Sequence, residues 1–300
     1  MKILVLNEEV PVETLYKLAD SMMRQKYGKS NVEAKDIVVF RGSMNKEFHL
    51  YKEIDSHPSF YREPHDLDID ISEINSTKEE LNNFIKDTID TFNRLYKFNY
   101  GYRIHFIPDK RDRNNPDRII YSKVSIFDLD SRRPNIPVTG IDIFMKLHKK
   151  IIFSDTPYGK FPGISEYEQT VHYIETITSK DIDEGREKDF YSLYEYMAKY
   201  SFVFKDLVLH MMNSRLSSHL DSMMKIFRNN SSILRKYFID YNLKSKYSIK
   251  FNIIFDRVTL FLEPLSKKIK KPDLMTDKRI WSSNNFIWQI ISNEYLNLIK

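Results

Sequence analysis

The chain contains no cysteine among its 300 residues, and this absence excludes several kinds of site. A disulfide framework, a thiolate zinc site and a cysteine nucleophile all require thiols. No uninterrupted apolar run approaches the roughly 20 residues that a membrane-spanning helix needs. The opening stretch MKILVLNEEVP has too short an apolar run for a signal peptide. We therefore expect a cytoplasmic protein without a membrane partner.

Charge is distributed unevenly along a chain whose net charge is only +5. Residues 201–300 contain 17 Lys and Arg against 8 Asp and Glu, a net charge of +9, while the rest of the chain carries −4. A basic region of this kind suits a polyanion such as RNA. The alternative is that these lysines only solvate a helical domain.

The spacing of apolar residues predicts two regions with different architecture. In the first, helices alternate with short strands such as Ile37–Phe40, and a capping box pairs Ser76 or Thr77 with Glu79 or Glu80. After residue 131 most segments have helical spacing, including IDIFMKLHKKI from Ile141, while YSIKFNIIF resembles a strand. We predict an α+β fold, with a small mixed sheet in residues 1–150 and a mainly helical, basic domain in residues 151–300.

The stretch REPHDLDIDI places Asp66, Asp68 and Asp70 at every second position, with Leu or Ile between them. A period of two is that of a strand, so the three carboxylates should point to one face. Burying a row of like charges is costly without a compensating cation. Because Mg²⁺ binds one or two carboxylates together with phosphate oxygens and water, the row predicts a magnesium site. The alternative is an exposed acidic strand.

The stretch FRGS places Gly42 and Ser43 between a predicted strand and a predicted helix. Such a turn offers free backbone N–H groups at a helix N-terminus, an arrangement that binds phosphate. Glycine permits close approach, and the serine adds a hydroxyl donor. A phosphate cradle beside metal-binding carboxylates is the minimum that nucleotidyl transfer requires.

Four motifs together resemble a known family. They are Gly42 and Ser43 in GSMNKEF with the following Glu47, Asp66 and Asp68 in DLDID, Lys146 in IFMKLHKKI, and Asp189 in REKDFYSLY. In this order they are similar to motifs of the AbiEii/AbiGii toxins, which are nucleotidyltransferases of the DNA polymerase beta superfamily. The resemblance implies a polymerase-beta-like nucleotidyltransferase domain in the first half of the chain.

The resemblance also implies roles for these residues. Two Mg²⁺ ions would be held by Asp66, Asp68 and a third acid from a later strand. That acid is Asp128 or Asp130 in KVSIFDLD, with Asp70 as an alternative. Gly42, Ser43 and Glu47 would form the nucleotide site. Lys146 would balance charge on the nucleotide, and Asp189 would orient Lys146 or the nucleophile.

The function implied is that of a magnesium-dependent enzyme of EC 2.7.7 type. It would transfer NMP from an NTP to RNA, for example a tRNA end, or to protein. The family context implies the toxin of a toxin–antitoxin or abortive-infection system, with a cognate antitoxin as partner. Two alternatives remain at this point: an NTP-dependent phosphotransferase that uses the same site, and a non-catalytic module that binds RNA or protein.

Overall fold

A computed structural model describes residues 12–27, 38–50, 64–71, 77–107, 119–146, 148, 150–156, 158–180, 182, 186, 188–240, 250–267 and 271–291. These residues form two compact units, the first ending at Ser165 and the second beginning at Glu166. The division lies beyond the predicted residue 150, because residues 152–163 add two strands to the first unit.

The first unit is a mixed α/β layer. Its helices and strands are α1 (Val12–Tyr27), β1 (Val39–Arg41), α2 (Gly42–Leu50), β2 (Leu67–Ile71), α3 (Lys78–Tyr96), β3 (Tyr100–Ile107), β4 (Tyr121–Asp128), β5 (Pro137–Met145), β6 (Ile152–Thr156) and β7 (Gly159–Gly163). The seven strands form one sheet in the order β3-β4-β5-β2-β1-β7-β6. Strand β2 runs parallel to β5 and antiparallel to β1. The sheet is mixed, as predicted, but larger than the small sheet expected.

One face of the sheet is apolar and forms the core of the first unit. Ile69 of β2 and Ile141 and Ile143 of β5 are fully buried, together with Leu15 of α1 and Ile85 of α3. Full burial of each such side chain contributes about 1.5–3 kcal/mol. Because side chains alternate along a strand, this packing turns the residues between them to the opposite face.

Helix α3 begins with the predicted capping box. The Thr77 side chain accepts a hydrogen bond from the backbone N–H of Glu80, and the Glu80 carboxylate accepts one from the backbone N–H of Thr77 at 3.4 Å. The two contacts satisfy donors that the first turn of a helix leaves unpaired. Ser76, the other predicted cap, lies outside the described residues.

Removal of this cap gives a first prediction. Thr77→Ala should lower the free energy of unfolding by about 1 kcal/mol, because the Glu80 backbone N–H loses its acceptor. Urea denaturation followed by circular dichroism measures the change. Glu79→Ala is the matched control, since Glu79 is an exposed acid in the same turn outside the box. An equal loss in both variants would contradict the assigned cap.

Two predicted elements are wrong. The segment from Ile141 to Met145 was predicted as helix, but it belongs to strand β5, because Ile141, Ile143 and Met145 alternate into the core. The strand-like run YSIKFNIIF is helical from Phe251 onward. Of the predicted strand Ile37–Phe40, the structure has β1 at Val39–Arg41, and Ile37 lies outside the described residues.

The second unit is mainly helical, as predicted. Its elements are α4 (Glu166–Ile177), α5 (Lys188–Lys199), α6 (Phe204–Met212), two short 3₁₀ helices (Arg215–Ser218 and Leu220–Ser222), α7 (Met223–Asn229), α8 (Ser231–Asp240), α9 (Phe251–Leu265), α10 (Lys271–Met275), β8 (Arg279–Ser282) and β9 (Ile287–Ile290). Strands β8 and β9 form a hairpin, and its fully buried Trp281 donates a hydrogen bond to the Met197 carbonyl at 2.8 Å. No helix in the described part of the chain has the length and apolar character that crossing a membrane requires.

Candidate active site

A row of charged residues crosses four strands on the polar face of the first unit. In the strand register, Arg41 of β1 lies opposite Asp68 of β2, Asp68 lies opposite Asp142 of β5, and Asp142 lies opposite Lys123 of β4. Two carboxylates therefore occupy adjacent strands, which are about 4.8 Å apart, with one cation on each side. Like charges placed directly opposite each other destabilise a sheet unless a cation joins them.

Asp142 is the carboxylate that sequence reasoning missed. Its side chain is 18% exposed, and its Oδ1 lies 3.9 Å from the Lys123 ammonium. The signal was present in the sequence, because Ile141-Asp142-Ile143 repeats the Ile69-Asp70-Ile71 pattern of the aspartate strand. The helical interpretation of this segment concealed it.

Asp128 and Asp130, predicted as alternatives for the third acid, lie elsewhere. Asp128 ends β4, five positions from Lys123, which at about 3.3 Å per residue is roughly 16 Å along the strand from the row. Its carboxylate accepts a hydrogen bond from the backbone N–H of Asp130 at 3.0 Å, and Asn99 donates to Asp130 at 2.9 Å. The two acids organise a turn, and the structure does not bring them to Asp68. This geometry replaces Asp128 with Asp142 as the candidate third acid.

Gly42 begins α2 directly against Asp68. Its φ is 64°, in the left-handed region that disfavours side chains. A Cβ at this position would lie 1.9 Å from Asp68 Oδ2, so any other residue would displace the carboxylate. Gly42 therefore allows the backbone at the start of a helix to approach the acidic row closely.

Ser43 follows in the first turn of α2. Among the described residues, its buried Oγ atom has no hydrogen-bond partner. A buried hydroxyl of this kind costs about 1–3 kcal/mol unless a ligand or water satisfies it. With the backbone N–H groups at the helix start, it supplies donors of the kind that bind phosphate.

Glu47, predicted with the nucleotide site, faces the interior. Its side chain is fully buried, and Tyr16 of α1 donates a hydrogen bond to its Oε1 at 3.5 Å. Burial, followed by this carboxylate, raises the pKa of the Tyr16 hydroxyl. This position makes Glu47 a support that attaches α2 to α1 rather than a surface for nucleotide.

Asp66 lies at the bend that precedes β2 and is half-buried. The neighbouring His65 carbonyl accepts a hydrogen bond from the Thr139 hydroxyl at 2.7 Å, which fixes the entry of β2 against β5. Asp66 lies two residues before Asp68 but outside β2, so the alternation that orients Asp68 does not extend to it.

Asp70, the last of the three aspartates in REPHDLDIDI, is fully buried and contacts two basic side chains. His148 Nε2 lies 2.5 Å from its Oδ2, and Arg41 Nε lies 3.6 Å from its Oδ1. The His148 side chain is only 2% exposed. A carboxylate this deeply buried requires such partners, so the third aspartate serves the interior of the site and does not face a ligand directly.

Lys146 follows β5 rather than lying in a helix. Its backbone N–H donates to the Ile71 carbonyl at 2.9 Å, which extends the pairing of β5 with β2 by one residue. The residue is exposed. Lys146 is four residues beyond Asp142, so it shares the polar face at about 13 Å along the strand.

Asp189 belongs to the second unit, in the first turn of α5. It is 6% exposed, and Arg186 Nη1 lies 3.9 Å from its Oδ2. Its backbone N–H donates to the Arg186 carbonyl at 3.0 Å. The described contacts of Asp189 are therefore those of an acid at a helix start within the second unit.

Hard oxygen ligands and a cradle for phosphate together fit a bound Mg²⁺–nucleotide. No group of three or more histidine or acidic side chains able to hold an ion by itself occurs among the residues that the structure describes. Mg²⁺ does not require such a group, because it commonly takes one or two carboxylates and completes its shell with phosphate oxygens and water. Asp68 and Asp142 supply two carboxylates, and the absence of a side chain at Gly42 lets the Asp68 carboxylate lie against the start of α2.

Comparison with known proteins finds few relatives. No family model and no curated protein matches the chain. Among solved structures, JHP933 from Helicobacter pylori is 13% identical with a TM-score of 0.47, covering 89% of this chain and 96% of that one. MenT4, a nucleotidyltransferase toxin from Mycobacterium tuberculosis H37Rv, is 12% identical with a TM-score of 0.41, covering 69% and 66%. At identities this low, function has to be argued from the side chains.

Proposed function

We propose that the protein is a magnesium-dependent nucleotidyltransferase. The observation that carries the proposal is the opposition of Asp68 and Asp142 on parallel neighbouring strands, with the glycine start of α2 against Asp68. Two hard carboxylates beside a phosphate cradle form a site for the polyphosphate of an NTP. The AbiEii/AbiGii resemblance of the sequence motifs supports the same reaction class.

The residues divide into metal-holding and phosphate-holding groups. Asp68 and Asp142, with Asp66 at the entry of β2, would hold Mg²⁺. When bound, this metal polarises the phosphoryl group and acidifies an attacking hydroxyl. Ser43 and the first backbone N–H groups of α2 would bind the β- and γ-phosphates, and Gly42 leaves room for the Asp68 carboxylate beside them. The chain thereby contributes chiefly position and charge, which are the main requirements of phosphoryl chemistry.

The acceptor and the biological setting extend the proposal. The excess of basic residues between 201 and 300 would bind an RNA acceptor through phosphate contacts, whose affinity falls as salt rises. Lys146, exposed beyond Asp142, would neutralise charge on the nucleotide, and Asp189 would act in the second unit as the resemblance implies. By the same resemblance the protein would be a toxin restrained by an antitoxin.

The proposal is tested by following label from each NTP. Wild-type protein is incubated with Mg²⁺, total RNA and total protein, in parallel reactions carrying label in the α- or the γ-phosphate. We expect α-label in the acceptor, lost with a chelator and in Asp66→Ala. Transfer of γ-label alone would instead assign a phosphotransferase. No transfer of either label by folded protein, combined with RNA binding indifferent to Mg²⁺, would assign a binding module.

A further inference from the structure

Arg41 occupies an unusual place on the polar face. Its backbone lies opposite Asp68, yet its guanidinium carbon lies 3.9 Å from the ring centroid of Phe144, which belongs to β5 on the far side of β2. The side chain therefore crosses β2. On its way its Nε passes within 3.6 Å of Asp70 Oδ1. The guanidinium thus lies beside Asp70 and over Phe144, which face each other in the register of β2 and β5.

Two contacts hold the guanidinium in one orientation, and each is supported by a further residue. Phe144 covers one of its faces, and its ring is in turn 4.5 Å from that of Tyr121. Asp70 attracts Nε, and His148 fixes Asp70 from the other side. An arginine stacked on an aromatic ring and anchored through Nε has lost most of its side-chain freedom before any ligand arrives.

Within the described part of the chain, the terminal nitrogens of Arg41 are available to a ligand. Among the described residues, no group accepts a hydrogen bond from Nη1 or Nη2. The Nε atom is buried and also makes no hydrogen bond there; its contact with Asp70 is an ion pair. The side chain is 17% exposed. Planar donors presented in this way match two oxygens of a phosphate, and such charge-assisted pairs are among the stronger hydrogen bonds.

We propose that Arg41 is a phosphate-binding residue of this site, with Asp70 as the residue that positions it. The inference rests on the proposed function, since the phosphate is that of the nucleotide held beside Gly42 and Ser43. Arg41 directly precedes Gly42, but its guanidinium lies across β2 over Phe144, so its Nη donors and the α2 donors would approach the ligand from opposite sides of β2. The arrangement makes the polyphosphate, rather than the base, the part of the nucleotide that Arg41 recognises.

The probe for this inference is inorganic tripolyphosphate, which carries the phosphates without base or sugar. Calorimetric titration in Mg²⁺ buffer should show that Arg41→Gln weakens its binding by about 10- to 100-fold, as the loss of charge-assisted hydrogen bonds predicts. Arg41→Lys keeps the charge but loses the fork and the stacking on Phe144, so we expect an intermediate loss. Thermal unfolding of each variant establishes that the titrated protein is folded.

Arg103 provides the matched control. It is an exposed arginine on β3 whose guanidinium lies 5.6 Å from the Phe127 ring, and it is not part of the charged row. Arg103→Gln removes the same charge and should stay within about twofold of wild type. Asp70→Asn should weaken binding although Asp70 faces no phosphate, because Arg41 loses its anchor. A purely structural Arg41 would instead lower the unfolding temperature and leave the affinity unchanged.

The outcomes separate this inference from the proposed reaction. Equal tripolyphosphate affinity in folded Arg41→Gln, Arg41→Lys and wild-type protein would overturn the role of Arg41 even if α-label is transferred. Failure of folded wild-type protein to bind tripolyphosphate would overturn it as well. Arg41-dependent binding without transfer of any label would support the phosphate site and reject nucleotidyl transfer.

Discussion

Asp142→Asn should lower the rate of nucleotidyl transfer by about 10³-fold, a loss of several kcal/mol of transition-state stabilisation. The substitution keeps the shape of the side chain but removes the negative charge that lies opposite Asp68. The free energy of unfolding should stay the same or rise by about 0.2–1 kcal/mol, because two opposed like charges are relieved. Initial rates with α-labelled NTP and urea denaturation measure the two effects.

Asp128→Asn is the control that decides between the two candidate third acids. Asp128 is an acid of the adjacent strand β4, and it lies in the turn with Asp130 rather than in the charged row. Its substitution should leave the transfer rate within about twofold of wild type, as expected of a partly exposed turn residue. Full activity in Asp142→Asn with a large loss in Asp128→Asn would show that the original assignment from the sequence was right.

Gly42→Ala should also lower the rate of transfer strongly, through geometry rather than charge. The added Cβ would lie 1.9 Å from Asp68 Oδ2, so the carboxylate has to move away from the start of α2. The left-handed φ of 64° costs a further 1–2 kcal/mol or so in backbone strain. We expect a rate at least about 100-fold lower, in line with displacement of a reacting group by about 1 Å.

Gly159→Ala separates strain from displacement. Gly159 also has a positive φ, of 125°, but a Cβ there would meet no atom within 4 Å. This variant should lose about 1–3 kcal/mol of stability and keep its transfer rate. If the two glycine variants lose stability alike and both retain activity, close approach of Gly42 to Asp68 has no part in the reaction.

The elements that local sequence determines were predicted correctly. The capping box of Thr77 and Glu80 depends on contacts three residues apart, and the apolar residues of α3, the helix that it begins, have the period of a single buried face. The aspartate strand was likewise readable, because Leu67, Ile69 and Ile71 alternate strictly. In each case the information lies within a few residues of the feature.

Asp142, the candidate third acid, was missed because strand pairing is a tertiary property. Ile141, Ile143 and Met145 alternate, but Phe144, Leu147 and Ile151, spaced three and four residues apart, give the same segment helical spacing as well. Only the parallel pairing of β5 with β2 selects the strand and brings Asp142 opposite Asp68. Asp68 and Asp70 have different surroundings: Asp68 lies beside Gly42, and Asp70 is buried against His148. This difference also depends on residues that are distant in sequence.

The most direct test of the site is metal binding by wild-type protein with a non-hydrolysable NTP analogue bridged between the α- and β-phosphates. Mn²⁺ in place of Mg²⁺ allows electron paramagnetic resonance to count the bound ions. We predict Mn²⁺ binding that strengthens with the analogue, is lost in Asp68→Asn and Asp142→Asn, and persists in Asp128→Asn. Equal Mn²⁺ binding by folded Asp142→Asn and wild-type protein would contradict a site built on the paired carboxylates.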